Sequence, residues 1–179
     1  VVKPQSRNLE WNELKETWSK SHKKVILGGQ SKLDPELSKS LSILFKDHKI
    51  PVLGDVISNL HGIEEVISHS DLFLGGDKKG LQESLQPDLL ITFGKSTISK
   101  NLKLMLRKFS PKEHWHILEN GEVADTYNTL TRIVKATPVD FFHELTQESL
   151  SSDFSSQKQE NYCNIWLIEE RKARRTIND

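Results

Sequence analysis

The sequence PDLLITFGKSTISKNLKLML, residues 87–106, decides the fold class of this chain. It contains an unbroken apolar run at residues 89–93, which is typical of a strand buried on both faces of a parallel sheet. Gly94 ends the run, a polar turn follows, and apolar residues then recur at helical spacing over residues 102–109. The segment therefore predicts a strand, a tight turn and a helix.

The polar turn between this strand and this helix is the strongest candidate for an anion site. In an open α/β sheet such a turn lies at the carboxyl end of the strand, where ligands usually bind. The first N–H groups of the helix have no internal partner, and that end of the helix dipole is positive. Ser96, Thr97 or Ser99 could cap the helix, while Lys95 and Lys100 add positive charge. The same pattern also fits a capped helix with solvated lysines, and this alternative stays open.

The composition narrows the class of protein. The 179 residues suffice for one domain with an appendage. The 25 basic residues balance the 25 acidic residues, which argues against nonspecific binding to nucleic acid or to an anionic membrane. No apolar run approaches the ~20 residues of a membrane span, and the first residues do not resemble a secretory signal. The single cysteine, Cys163, excludes an internal disulfide and a cysteine-rich metal site. We therefore expect a cytoplasmic protein.

The rest of the chain alternates predicted strands with predicted helices. Further strands are predicted at residues 24–29, 50–55, 115–118 and 132–136, the last of them at an edge. Helices are predicted at residues 9–21, from Asp34 as N-cap, at 63–68, at 81–85 and from Thr137. Residues 71–76 fit either a short strand or a helix end. The alternation predicts an α/β fold of three layers, a mainly parallel sheet with helices on both faces.

The composition changes near Ser149, where a polar and serine-rich run begins. We interpret residues 1–148 as the α/β domain and residues 149–179 as a linker, a C-terminal linker helix and the start of a following domain. The helix is amphipathic from Tyr162 onward, and its apolar face needs either the sheet domain or a domain outside this chain. The missing initiator methionine and the charged helical end indicate a fragment of a longer polypeptide.

The sequence contains few other candidates for catalytic or metal-binding residues. The histidines show no metal-ligand spacing, and no nucleophile motif is present. His114 and His116 flank Trp115, so both point to the same side of a predicted strand. A polar strand face is a simpler interpretation of this pair than a metal-ligand site. Cys163 is interpreted as an ordinary helix residue.

Two glycine turns follow predicted strands. Gly28 and Gly29 occupy the place of a dinucleotide fingerprint, but the GxGxxG spacing is absent, so a tight turn is favoured. After the next strand, Asp55 and Asn59 either join the polar crest formed by residues 95–100 or act as local turn acceptors.

The motifs VILGG, IPVLGDVISN, PDLLITFGKSTISK and EHWHILENG together resemble a known family. They are similar to the central domain of the thiamine-diphosphate enzymes of menaquinone biosynthesis, the 2-succinyl-5-enolpyruvyl-6-hydroxy-3-cyclohexene-1-carboxylate synthases. The resemblance covers residues 9–145 and implies a Rossmann-like central domain. The IPVLGDVISN motif and residues 93–100 are its most specific parts.

The resemblance implies an activity of the whole enzyme, a transferase in which 2-oxoglutarate is decarboxylated and joined to isochorismate. Thiamine diphosphate, with Mg²⁺ or Mn²⁺, sits in the family between the first and third domains of partner subunits, which implies a homo-oligomer. Lys100 matches a lysine that contacts a substrate carboxylate. Ser99 adjoins it, and Asn101 replaces a residue that is often basic. No catalytic, cofactor-binding or metal-binding residue is expected in this fragment, which should be inactive alone.

Two other functions stay open from the sequence. Central domains of related thiamine-diphosphate enzymes, such as acetolactate synthase, share their fold with nucleotide-binding domains, and some hold ADP or FAD. A nucleotide-binding central domain, or a purely structural one, is therefore the alternative.

Overall fold

The structure is a computed structural model, and it describes residues 4–149 and 156–178. The strands are β1 Lys24–Gly28, β2 Val52–Gly54, β3 Leu89–Phe93, β4 Glu113–Ile117 and β5 Arg132–Val134. The helices are α1 Pro4–Lys20, α2 Pro35–His48, α3 Ser70–Leu74, α4 Lys79–Ser84, α5 Lys100–Lys108, α6 Pro138–Ser149 and α7 Gln157–Asn178. A 3₁₀ turn spans Val56–Ser58.

The five strands form one parallel sheet in the order β2-β1-β3-β4-β5. The predicted α/β fold is confirmed. All five residues of β3 are buried, as its unbroken apolar sequence predicts. The chain moves from β1 outward to β2 and then returns past β1 to β3. The direction of winding therefore reverses between β1 and β3, the kind of place where ligands bind in open α/β sheets.

Helices cover both faces of the sheet. Successive residues of β3 point to opposite faces, so Ile91 joins the core beneath α1, α2 and α6, while Leu90 joins the core beneath α3, α5 and α7. Leu41 of α2 has no exposed surface, and burial of such a side chain contributes about 1.5–3 kcal/mol. The sheet thus separates two apolar cores, the three-layer arrangement that the sequence predicts.

The start of α2 shows why the local sequence forms this helix. The Asp34 side chain accepts hydrogen bonds from the backbone N–H groups of Glu36 (3.0 Å) and Leu37 (3.1 Å), and Pro35 occupies the first helical position. These contacts satisfy two N–H groups that would otherwise lack partners. The predicted N-cap is confirmed.

The helix predicted at residues 63–68 is wrong. This segment forms turns, and Ile67 then pairs with β2: its N–H donates to Val52 O (2.9 Å), and Gly54 N–H donates to Ile67 O (3.0 Å). The segment covers the outer edge of β2, whose backbone groups would otherwise face solvent unpaired. Residues 71–76, which fit two interpretations, contain the end of the short helix α3.

The C-terminal helix packs on the sheet domain, one of the two partners left open by the sequence. Tyr162 and Trp166 are buried in the core beneath α3 and α5, and Tyr162 OH donates to Leu85 O at 2.9 Å. The Gln159 side chain accepts from Lys24 N–H (2.7 Å) and donates to Lys49 O (3.0 Å).

The boundary between the predicted linker and the helix lies earlier than expected. The helix begins at Gln157, so the end of the predicted linker is helical, and residues 150–155 lie outside the described residues. The division near residue 149 into two domains stays a prediction. None of the helices in the described part of the chain is long and apolar enough to cross a membrane.

Candidate functional site

A cleft lies where the carboxyl ends of β1 and β2 meet the N-terminus of α5. Its volume is about 230 Å³. Leu27 and Leu53 from the two strands form its apolar side, and Asp55, Asp71 and Lys100 bring charge to it. We call it the α5 cleft. It lies at the strand ends, as the strand-turn-helix pattern of residues 87–106 predicts.

Lys100 is the first residue of α5 and is exposed. Its ammonium group forms no hydrogen bond or ion pair with the residues that the structure describes. A cation without a partner at the N-terminus of a helix adds to the positive potential of the helix dipole. The lysine is therefore available for an anion that enters the α5 cleft.

Two donors at the same helix end, one backbone N–H group and one hydroxyl group, already bind a carboxylate of the chain itself. Asp71 Oδ1 accepts from Asn101 N–H (2.7 Å) and from the Ser99 hydroxyl (2.7 Å). The Asn101 side chain donates to Asp71 O at 2.8 Å, and Ser99 Oγ accepts from Leu102 N–H at 3.3 Å. Of the three candidate caps, Ser99 is the N-cap. Asp71 could not be predicted from the sequence as part of this site, because its side chain reaches Ser99 from 28 residues earlier in the chain.

The two polar residues that follow β2, Asp55 and Asn59, have different roles. Asp55 is both a local turn acceptor and a member of the crest, because its carboxylate accepts from Ile57 N–H (3.2 Å) and, across the loops, from Ile98 N–H. Asn59 donates from its side chain to Ser31 O at 2.6 Å, which braces the loop after β1. The structure therefore places Asp55, but not Asn59, in the lining of the α5 cleft.

The loops after β1 and β3 pair with each other through their backbones. Gly29 N–H donates to Phe93 O (2.8 Å), Gln30 N–H to Ser96 O (3.0 Å), and Lys95 N–H to Gln30 O (2.9 Å). A Cβ at Gly29 would lie 1.9 Å from Lys95 O, so only glycine permits this approach. Phosphate-binding loops direct such N–H groups at the ligand. Here the neighbouring loop uses them, which weighs against nucleotide binding at this place.

The two strand histidines share one hydroxyl group. Both point to the same side of β4, as predicted, and Thr92 Oγ1 lies 2.8 Å from His114 Nε2 and 2.8 Å from His116 Nδ1. Burial lowers the pKa of both imidazoles, that of His114 to about 4, so both are neutral at pH 7. No group of three or more His, Cys, Asp or Glu side chains could hold a metal ion among the described residues.

The parallel sheet with its loops and cleft at the strand ends defines the class of the domain, a Rossmann-like α/β domain. Solved structures agree. A sirtuin structure described as "The Structural basis for Sirtuin Substrate affinity" superposes with a TM-score of 0.53 at 11% identity, over 79% of this chain and 99% of that chain. A Sir2 mutant with a p53 peptide and NAD also gives 0.53, at 13% identity and the same coverage. This likeness shows a shared fold.

The family model described as "Middle domain of thiamine pyrophosphate" matches residues 3–164. The chain therefore belongs to the family of middle domains of thiamine pyrophosphate enzymes. Its relatives include proteins named 2-succinyl-5-enolpyruvyl-6-hydroxy-3-cyclohexene-1-carboxylate synthase. The one from Flavobacterium johnsoniae is 35% identical over 155 residues, 80% of this chain and 28% of the relative. The one from Cytophaga hutchinsonii is 28% identical over 158 residues, 88% of this chain and 26% of the relative.

A third relative of the same name, from Bacteroides thetaiotaomicron, is 33% identical over 138 residues, 76% of this chain and 24% of the relative. The resemblance that the motifs indicate is confirmed. The chain spans only about a quarter of the length of these relatives.

Proposed function

We propose that this chain is the central domain of a thiamine-diphosphate-dependent transferase that joins decarboxylated 2-oxoglutarate to isochorismate in menaquinone biosynthesis. The names of the relatives support this reaction. One structural observation supports a part for this domain in it: Lys100 brings an exposed cation, without a described partner, to the cleft at the strand ends.

The proposed role of Lys100 is to bind and orient a substrate carboxylate. Both substrates carry carboxylates, and a flexible ammonium group at a helix N-terminus suits such a contact. Ser99 and Asn101 belong to the proposed site because a carboxylate at this helix end would compete with Asp71 for their donors. A group that holds the substrate in place lowers the barrier through orientation and does not itself break or form bonds.

The cofactor is proposed to lie outside this chain. The part of the chain that the structure describes offers no cluster of metal-ligating side chains, so these residues do not fit the Mg²⁺ or Mn²⁺ that accompanies thiamine diphosphate. When bound, thiamine diphosphate supplies the carbanion chemistry of the reaction. We propose that flanking domains of the same polypeptide bind it, in a cytoplasmic homo-oligomer.

Replacement of Lys100 in the complete polypeptide tests the substrate contact. Because Lys100→Ala removes a charge-assisted hydrogen bond made before and during the reaction, KM for one of the two substrates should rise about tenfold or more while kcat changes little. Lys103→Ala is the matched control, since Lys103 lies one turn further along α5 and has no described side-chain partner either. Unchanged KM values for both substrates in Lys100→Ala would instead identify a purely structural domain.

Binding to the isolated chain tests the location of the cofactor. Calorimetry with thiamine diphosphate and Mg²⁺ should show no binding in the micromolar range, and a thermal-shift screen with adenine nucleotides should show no stabilisation. Micromolar binding of thiamine diphosphate to this chain would contradict the proposal that flanking domains bind the cofactor. Clear stabilisation by ADP would favour the nucleotide-binding alternative.

A further inference from the structure

A second and larger cavity lies on the other side of the paired loops. It has a volume of about 380 Å³, within the range of small-molecule sites, and it opens above the carboxyl ends of β3 and β4. Residues 120–130, which connect β4 to β5, form its roof. We call it the histidine cavity after His114 and His116, which lie in its floor.

The floor of the histidine cavity is polar where the same sheet face is otherwise apolar. Val25, Leu27 and Leu90 point to this face and belong to its core, whereas Thr92 and His114 are polar and almost fully buried. Polar side chains at such positions lower stability unless they are hydrogen-bonded. Here the polarity coincides with the place where the face opens into the cavity.

The hydrogen bonds in the floor leave one ring nitrogen free. His114 is held at both nitrogens, by Thr92 through Nε2 (2.8 Å) and by Thr129 through Nδ1 (2.9 Å). His116 is held only through Nδ1, by Thr92 at 2.8 Å. His116 is half-buried and lines the cavity, and its Nε2 has no hydrogen-bond partner among the described residues. A ring fixed by one nitrogen presents the other in a defined direction.

The roof of the cavity is fixed to the rest of the domain. Arg107 of α5 donates to Thr126 O at 2.6 and 3.1 Å, and the hydroxyl of Tyr127 lies 3.0 Å from Thr97 Oγ1. The Asp125 carboxylate accepts from the N–H groups of Thr129 (3.2 Å) and Leu130 (3.1 Å). These contacts preform the cavity, which reduces the entropy that a ligand must overcome.

The charges around the cavity argue against an anionic ligand. Both histidines are neutral at pH 7. Glu122 and Asp125 line the wall, and Lys95, the one lysine among the described lining residues, offsets only one of these two carboxylates. The loop N–H groups that could bind phosphate are paired between the two loops. Leu27, Leu118 and Leu130 supply apolar surface.

We propose that the histidine cavity binds an uncharged molecule of about the size of one substituted ring, which hydrogen-bonds to His116 Nε2 and packs against the surrounding leucines. This proposal does not depend on the proposed reaction.

Two nearly isosteric probes of different charge test it on this chain. Benzamide is neutral and benzoate is anionic, and each is titrated while methyl and imidazole NMR signals are recorded. Benzamide should bind at millimolar concentration, as expected for so small a molecule, with shifts at His116 and nuclear Overhauser contacts to the Leu118 and Leu130 methyl groups. Benzoate should bind at least tenfold more weakly.

Variants locate the contact. His116→Ala should weaken benzamide binding about three- to tenfold, because one hydrogen bond is lost, and His116→Gln should restore part of it through its side-chain amide. His61→Ala, at an exposed histidine, is the control and should bind as the unchanged chain does. Benzoate binding as tight as benzamide, equal benzamide affinity in His116→Ala, or an absence of site-localised shifts at about 10 mM benzamide would each overturn the proposal.

Discussion

Asp71 links α3 to the N-terminus of α5 at the α5 cleft. Its carboxylate accepts from Asn101 N–H and from the Ser99 hydroxyl, both at 2.7 Å. It thereby takes the position that an external anion would occupy at the helix N-terminus, while the ammonium group of Lys100 remains without a described partner. The cleft thus contains an internal carboxylate that a substrate would have to displace or bind beside.

Replacement of Asp71 should destabilise the domain. Asp71→Ala leaves donors of Ser99 and Asn101 without their acceptor and removes a negative charge from the positive end of α5. We expect a loss of about 1 kcal/mol in the free energy of unfolding, measured by urea denaturation. Asp77→Ala, at an exposed residue whose side chain forms no hydrogen bond or ion pair with the described residues, should change the free energy of unfolding by less than about 0.5 kcal/mol. Equal losses in the two variants would contradict the capping role.

His114 should make the stability depend on pH. Burial lowers its pKa from 6.5 to about 4, so between these values the unfolded chain binds more protons than the folded one. The contribution of His114 to stability is therefore fully present above pH 6.5. The free energy of unfolding should fall by about 3 kcal/mol as the pH decreases to about 4.

Urea denaturation at a series of pH values measures this dependence. His114→Gln should reduce the slope of unfolding free energy against pH in that window, and His61→Gln should leave it unchanged. The Glu170 carboxyl contributes in the same direction at lower pH. Burial raises the pKa of Glu170, but hydrogen bonds from His69 and Arg174 together lower this pKa more. A slope in His114→Gln equal to that of the unchanged chain would be incompatible with a buried neutral imidazole.

At the scale of elements, the paired loops after β1 and β3 determine the shape of the strand-end surface. They fill the place where the winding reverses, and they leave the α5 cleft on one side and the histidine cavity on the other. The strand-end surface therefore has two separate cavities in place of the single crevice that the sheet order alone predicts.

The pairing depends on the missing side chain of Gly29. Gly29→Ala would place Cβ 1.9 Å from Lys95 O, a backbone atom that cannot move without separating the loops. We expect the free energy of unfolding to fall by about 2–3 kcal/mol. Gly62→Ala is the control, because its Cβ would meet nothing within 4 Å. A Gly29→Ala variant as stable as Gly62→Ala would show that the loops do not pair in solution.

The elements also show which structure could be predicted. β3 and α2 were predictable because their signals are local, an apolar run in one and a cap with periodic leucines in the other. The helix predicted at residues 63–68 was wrong for a physical reason. Ile63, Val66 and Ile67 fit helical spacing, but backbone pairing with β2 determines the conformation of this segment.

The candidate site divides in the same way. The position of Lys100 at the strand ends follows from its own segment, since a strand, a turn and a helix place it there. The contacts of Ser99 and Asn101 with Asp71 join segments remote in sequence, and a single sequence carries no signal for such a contact.

At the scale of the whole molecule, α7 packs closely on the sheet domain. Its buried carboxylate Glu170 accepts from His69 N–H (3.0 Å) and from Arg174 Nε (2.8 Å), and Trp166 packs edge-on against Phe73 at 6.0 Å between ring centroids. The helix thus completes the core beneath α3 and α5, although a polar segment precedes it.

Replacement of Trp166 measures how strongly α7 is held. Trp166 is 1% exposed, and Trp166→Ala should lower the free energy of unfolding by about 3–5 kcal/mol because it leaves a large cavity. Ile168→Ala, on the exposed side of the same helix at 50% exposure, should have an effect below about 0.5 kcal/mol. If Trp166→Ala unfolds with the midpoint of the unchanged chain, α7 does not dock on the sheet in solution.

The pairing of Ile67 with β2 makes the two margins of the sheet unequal. The β2 margin already has a partner, whereas in the described part of the chain the outer side of β5 has none, and Ile133 on it is 38% exposed. We therefore expect a foreign strand that pairs with this sheet, in self-association or in fibril formation, to add at β5. Replacement of Ile133 by a charged residue or by proline should therefore hinder the addition of a foreign strand to this sheet.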